Sequence, residues 1–468
     1  MGRSAVVSPV VLCGLALVIG ACGDDAAGTA GATGMGTSTG TTEAVTTGSP
    51  TGTTTGLPPT TSGGDSDSAS SSTTSGEPTS TSTSTSTSNG VKFDVGVDDV
   101  GESCQTKCGN TDWSYVWIAN SGEHTISKLN TRLMTEEGRY ITRADQLGNP
   151  SRTSVSIDAK AVAVANRSGG ITKIWARPEY CTDKNGNGTI ETSSGKDNVL
   201  PWGMDECIAW YTDFPGATTQ RPVAWTSGTY NPRTCEYEDQ KIWAAASFGS
   251  AGVGNPCTGA DGVHVYRLNG DDGTVEEDVH LPDVSCGALG AYGAAVDVDN
   301  NVWMFVFGGG IIFRVDYETL EHTIVQKGFY GITVDTKSRV WLDDGSRYDP
   351  VTQTWALQVG DLPPNGGSGV AQDLQGRIWH ATNGGIGWLD SETMMVGGKV
   401  TLPNQGLARG IGVDVDGYIW AVILGGTVAY RIHPETFEIA EYNGLNQPYT
   451  YSDMAGGQIN NVTCNPQG

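Results

Sequence analysis

The sequence predicts an all-β fold: a seven-bladed β-propeller of four-stranded blades, preceded by a disordered Ser/Thr/Gly linker. Three observations predict it. Four segments align without gaps around a tryptophan, AVDVDNNVWMF, TVDTKSRVWLD, AQDLQGRIWHA and GVDVDGYIWAV, with Trp303, Trp341, Trp379 and Trp420 spaced 38, 38 and 41 residues apart. Each segment carries an aspartate six residues before its tryptophan: Asp297, Asp335, Asp373 and Asp414. Alternating stretches follow, IIFRVDYET, GIGWLDSET and TVAYRIHPET, each ending in a Glu-Thr turn and then a weaker fourth strand. Two strands about a polar turn make a hairpin, and four strands in roughly 40 residues match the period of a propeller blade.

From the N-terminus, one arginine, Arg3, precedes an apolar run from Ala5 to Ile19. That run is shorter than the roughly 20 residues a bilayer-spanning helix needs, so it predicts an export signal over residues 1–21. It ends in Ile19-Gly20-Ala21-Cys22, which resembles a bacterial lipobox. The resemblance implies a lipidated Cys22 at the mature N-terminus and a membrane partner engaged through acyl chains. Residues 22–90 are expected to be this cysteine and a linker. From Ala26 to Asn89 the chain is almost wholly Ser, Thr, Gly and Pro, which cannot bury enough apolar surface to offset chain entropy. A flexible coil of that length spans roughly 40–50 Å. The expected address is the bacterial cell envelope, at the outer membrane or cell surface.

Residues 91–112 read as a Cys-containing connector and 113–468 as the propeller. The repeat frame extends N-terminally with Trp117, Ala163 and Trp243 in the tryptophan slot, which completes seven units. The surplus length falls in residues 176–240 and in blade three. After the seventh unit, QPYTYSDMAGGQINNVTC (447–464) reads as strand-like. It is the natural segment to complete blade one and remove two sheet edges. Cys464 would then come near Cys104 or Cys108. Eight cysteines follow Cys22, and an even number in an exported chain reads as disulfides; Cys181–Cys207 and Cys235–Cys257 are the expected local pairs. The recurrent tryptophans are expected to pack between blades rather than to bind a ligand.

The chain carries 27 Lys+Arg against 52 Asp+Glu, a net charge of −25, of which −20 falls on residues 91–468. A body that acidic lacks the clustered cations that phosphate backbones require, so nucleic acid is not an expected partner. The sharpest metal motif is DKNGNGTIETSS at 183–194, which matches an EF-hand-type loop. Asp183, Asn185 and Asn187 would be side-chain ligands, Thr189 would offer its carbonyl and Glu191 would complete the set around Ca²⁺. Ser194 stands where such loops have a bidentate carboxylate, so weak affinity is expected. This loop lies in an insertion near 181–207.

The unit [V/A]xDxxxx[V/I]W, followed by YRI or FRVD, resembles the streptogramin (virginiamycin B) lyase-like propellers and the related NHL-type repeats. In the lyases a Glu follows three residues after the Trp and a His enters from the inner strands; together they imply a Mg²⁺-dependent ring-opening elimination. Here the positions three after the slot are Asn120, Asn166, Ala246, Val306, Asp344, Thr382 and Ile423. The inner-strand stretches GAYGAAVD, FYGITVD, GSGVAQD and ARGIGVD contain no His, and His380 alone stands in that frame. No catalytic residue is assigned. The expectation is a surface-tethered, non-catalytic binding module for a protein, glycan or small-molecule ligand. The alternative is a metal-dependent lyase or lactonase using Asn120, Asn166, Asp344 and Asn383 in the central channel.

Overall fold

In the computed structural model the described residues lie in one compact unit. The structure describes residues 112–464 apart from 249–261, 285, 288, 365–366 and 405. The expected signal, Cys22, the linker and the connector lie outside the described residues, apart from Asp112.

Seven blades follow one another around a ring. The second strands that carry the slot residues are Tyr115–Asn120, Ala161–Asn166, Lys241–Ser247, Val302–Val306, Val340–Trp341, Arg377–Thr382 and Ile419–Ile423. In blades four to seven the strands pair in simple antiparallel order, inner to outer. Hydrophobic alternation explains the layering. Second strands are buried on both faces, as in VWMFV and IWAVI, whereas outer strands such as His322–Gln326 and Ile439–Asn443 are half-exposed.

The aspartate six residues before each tryptophan accounts for the repeat motif. The indole N–H of Trp303, Trp341, Trp379 and Trp420 donates to Asp297, Asp335, Asp373 and Asp414 at 3.0, 2.8, 2.7 and 2.9 Å. The other oxygen of the same carboxylates caps the hairpin turn, for instance by accepting from the N–H groups of Gln375 and Arg377. The Glu-Thr turns are built the same way. Asp316 and Asp390 accept the N–H groups of Glu318 and Thr319, and of Glu392 and Thr393, while His433 Nδ1 substitutes for the carboxylate at Glu435 and Thr436.

Surplus length does fall within 176–240, but blade strands run through the same stretch. Within 176–240, Ile208–Thr212 is the outer strand of blade two and Thr219–Trp225 the inner strand of blade three. The true insertions are the segment between Trp175 and Ile208, and a hairpin of Thr229–Asn231 with Glu236–Glu238. The Cys181–Cys207 disulfide closes the first of them. Cys235, Cys286 and Cys464 are also disulfide-bonded; Cys104, Cys108 and Cys257 lie outside the described residues.

The C-terminal segment runs beside the inner edge of blade one, where it was expected, but the sheet of that blade keeps three strands and the tail adds a single bridge, Asn120 with Pro448. Tyr449 N donates to Ala119 O and Trp117 N donates to Met454 O. It also forms a short parallel ladder with blade two, Tyr451 and Ser452 opposite Arg152 and Thr153. Its second half corrects the strand reading: Gly457–Cys464 is an α-helix, α1. Gly456 turns the chain at a φ of +82°, and the Asp453 carboxylate then receives the Gln458 N–H at 3.3 Å. Ile459 and Val462 of α1 are buried, and Gln458 and Asn461 donate side-chain hydrogen bonds to the carbonyls of Val296 and Gln372. The helix therefore packs across the exit ends of the inner strands.

Candidate functional site

The opposite, entry ends of the inner strands carry the most distinctive side chains in the molecule. Blade two supplies Arg152 on its inner strand and Arg167 just after its second strand; Arg221 comes from blade three and Arg409 from blade seven. Tyr292 enters from blade four, Tyr330 precedes the inner strand of blade five, and the C-terminal segment brings Tyr449 and Tyr451. Register shifts occur at the entry ends of the inner strands of blades two, four and seven, and bulges of this kind re-aim a side chain.

Tyr449 is the hub. Its hydroxyl lies 2.7 Å from both the Tyr292 and Tyr330 hydroxyls, and Arg221 Nη1 donates to Tyr292 at 2.9 Å. The guanidinium carbons of Arg167, Arg409, Arg152 and Arg221 stand 3.9, 5.3, 5.6 and 6.0 Å from its ring centre. Arg152 also stacks on Tyr451 at 3.0 Å. These are cation–π distances, favourable individually, but four cations around one ring repel each other. Burial alone would push the Tyr449 phenol up; the charges of Arg152, Arg409, Arg221 and Arg167 outweigh it and bring it down to about 8. Burial pulls the Arg152 guanidinium down to about 9.

Beside this cluster sits a buried pair, Asp343 and His380. Asp343 accepts the Ser368 hydroxyl at 2.7 Å and the Ser368 N–H at 2.9 Å, and its Oδ1 lies 3.5 Å from His380 Nδ1. Burial pushes the Asp343 carboxyl up. Because the hydroxyl bonds the carboxylate rather than the imidazole, the three do not form a nucleophile and its base. His380 is 1% exposed, in keeping with a packed residue.

The four candidate channel residues are not assembled into a metal site. Asn120 donates to Ser127 and Thr125 and accepts from Asn446 N. Asn166 is consumed by Thr142, accepting its hydroxyl and donating to its carbonyl. Asp344 caps its own turn at Ser346 and lies 3.5 Å from Lys327. Asn383 is exposed at a turn, where its carbonyl receives Lys399 Nζ. Among the described residues, no three His, Cys, Asp or Glu side chains gather at metal-binding distance. These side chains do not fit the lyase or lactonase metal.

The 183–194 loop is different, since its candidate side chains bond one another and the loop backbone. Asn185 Nδ2 and Asn187 Nδ2 donate to the two oxygens of Glu191 at 2.9 and 2.7 Å. Asp183 accepts the N–H groups of Gly188, Gly186 and Asn187, which holds its carboxyl below the usual range. Thr189 N donates to Asn187 Oδ1. Gly188, at the sharp turn of the loop, has a φ of +83°. Glu206, absent from the sequence-based ligand set, braces the loop by accepting the N–H groups of Lys184, Asn185 and Glu191. A hard cation fits this donor chemistry.

The arginines and tyrosines escaped the sequence reading, yet a sign was present. Tyr292, Tyr330, Ser368 and Arg409 each stand eleven residues before their blade's tryptophan, and Arg152 the same distance before Ala163. A slot that varies while its neighbours repeat is what a ligand-facing position on a repeated scaffold looks like.

Fold and site together define a closed seven-bladed propeller with an arginine–tyrosine cluster at one end of its inner strands. Similar solved structures include virginiamycin B lyase from Staphylococcus aureus, at 17% identity over 50% of this chain and 74% of that one, with a TM-score of 0.37. Others are AztD of Citrobacter koseri, at 11% identity over 72% and 96% with a TM-score of 0.43, and a protein from Lactobacillus plantarum, at 10% over 72% and 98% with a TM-score of 0.48. The likeness is one of fold. No protein-family model and no curated protein matches the chain.

Proposed function

We propose that this chain is a lipoprotein tethered to the bacterial cell envelope through Cys22, and that its propeller is a non-catalytic binding module. The observation that carries the binding role is the arginine–tyrosine cluster at the entry ends of the inner strands. It gathers residues from five blades and the C-terminal segment, and it presents hydrogen-bond donors and aromatic faces rather than an acid–base pair. The Ser/Thr-rich linker holds this site tens of ångströms from the membrane, where soluble or surface-bound ligands can reach it.

Calcium belongs to the same reading as a local brace. Asp183, Asn185, Asn187 and Glu191, with the Thr189 carbonyl, would hold it in the disulfide-closed insertion, away from any chemistry. Two experiments test the proposal. Cys22→Ser should release the protein from the membrane fraction or leave it unprocessed; a processed variant still fractionating with membranes places the anchor elsewhere. A thermal-shift screen of the full chain against small molecules and glycans should yield a ligand whose stabilisation is lost in Arg409→Gln. A ligand turned over by the protein would overturn the non-catalytic role.

A further inference from the structure

Arg152 is completely buried, and among the described residues no carboxylate lies within ion-pairing distance of it. Its Nε donates to Tyr292 O and its Nη1 to Ser151 O, while Nη2 has no partner. A buried cation left without a counter-charge is costly, and native proteins pair it or coordinate it. Its neighbours share the deficit. Ser151 Oγ, both amide atoms of Gln220, Ser247 Oγ and Tyr451 Oη are buried without a hydrogen-bond partner. Buried orphans are rare, so a concentration of them on the entry ends of inner strands marks a place where something polar belongs. Arg167 and Tyr330 are partly exposed and form the outer side of the cluster.

We infer that this end of the central channel binds an oxyanion-bearing small molecule, a carboxylate, sulfate or phosphate ester, with the anionic head taken by the guanidinium cluster of Arg152, Arg221 and Arg409 and the remainder lying against Tyr330 at the rim. The inference rests on the binding role proposed above and names its ligand class. Guanidinium forks match planar and tetrahedral oxyanions, and burial strengthens each charge-assisted bond. The site is an electropositive spot in a chain of net charge −25, so the surrounding field repels anions that the fork does not grip. That makes the site selective rather than a general anion trap.

Tyr449 couples binding to protons. The groups facing its hydroxyl are Arg152, Arg167, Arg221, Arg409, Tyr292 and Tyr330, with Asp343 acting on Arg409. An arriving anion competes with the phenolate for the same cations. Affinity should therefore fall as pH rises from 7 to 9, and binding should take up protons in that range.

The test uses the full chain purified in detergent, at constant ionic strength in chloride, with sulfate, inorganic phosphate and benzoate as separate probes. At least one should give saturable binding by calorimetry, weakening about tenfold between pH 7 and 9. Arg221→Gln and Arg409→Gln, checked for an intact thermal transition, should each weaken binding tenfold or more. Tyr449→Phe should bind and lose most of the pH dependence, keeping only the part that Arg152 contributes near pH 9. Saturable binding unchanged in both arginine variants, or no saturable binding by any probe, overturns the inference. A neutral ligand from the screen that binds in an Arg409-dependent manner while all three oxyanions fail would overturn the ligand class alone and leave the binding role standing.

Discussion

Each aligned indole is tied to an aspartate six residues upstream, and one carboxylate thereby serves two purposes, holding the tryptophan and closing the hairpin turn. Asp373 also pairs with Arg377 at 2.6 Å, so its removal would orphan an indole and two turn N–H groups and leave the Arg377 guanidinium with Glu435 as its remaining ion-pair partner. Asp373→Ala is expected to cost about 3 kcal/mol in urea unfolding. Asp344→Ala, at a half-buried turn two residues from its main partner, should stay within about 0.5 kcal/mol. The contrast separates a repeated structural carboxylate from an incidental one. Tyr449 makes a prediction of the opposite kind. Its folded value of about 8 lies below the ordinary tyrosine range near 10, so ionisation favours the folded state. Stability from this group is present above pH 10 and is lost as pH falls through 8. One tyrosine should ionise near pH 8 by absorbance at 295 nm, and Tyr449→Phe should abolish that step.

At the scale of elements, hairpins were the most legible part of the sequence, because apolar alternation and turn chemistry are both local. The C-terminal segment was not. Gly457–Cys464 has the length and residue types of a strand, and it becomes a helix because Gly456 reverses the chain beneath the ring and the inner-strand carbonyls of Val296 and Gln372 await donors. The 183–194 loop was legible as a calcium-type motif, but its brace, Glu206, comes from 15 residues beyond Glu191 and was not. In millimolar calcium, a site of millimolar affinity gains on the order of 0.5 kcal/mol. Protease nicking between Cys181 and Cys207 should be slower with calcium than with chelator, and Asp183→Ala should erase the difference. The Cys181–Cys207 bridge, closing a sequence separation of 26, contributes about 3–4 kcal/mol by constraining the unfolded loop. The blades should therefore keep their cooperative transition whether or not calcium is present.

The whole molecule is a ring, and a ring holds only if its ends meet. Blade seven reaches blade one through a two-pronged Arg132–Asp416 pair at 2.9 and 3.0 Å, and through Arg139 donating to Gly444 O. Similar pairs join consecutive blades, Arg339 with Glu392 and Arg377 with Glu435. The Arg339 hydrogen bond draws the Glu392 carboxyl down to about 2, so this pair stays charged through ordinary acid conditions. The C-terminal segment does more: it supplies the strand-like stretch beside blade one, the Tyr449 hub and α1 across the far end. Deleting residues 447–468 should lower the thermal transition by well over 10 °C and promote association through the exposed edge of Tyr115–Asn120, read by light scattering. A truncated chain that stays monomeric and equally stable would mean that side-chain contacts alone close the ring.

By itself the sequence determined the blade count, the strand order within a blade, the recurrence of the aspartate–tryptophan spacing and one disulfide, because each depends on residues within one period of about 40. The 183–194 motif and the pattern expected of an export signal are legible for the same reason, since each is contiguous. What only the tertiary structure decided is the arginine–tyrosine cluster. Arg152 and Tyr449 are separated by nearly 300 residues, and no spacing rule connects them. A propeller takes one or two side chains from each inner strand and turns them toward a common axis, so the site exists only when the ring is closed. The expected channel residues Asn120, Asn166, Asp344 and Asn383 stand at or just past the ends of the second strands and spend their polar groups on local backbone and neighbours.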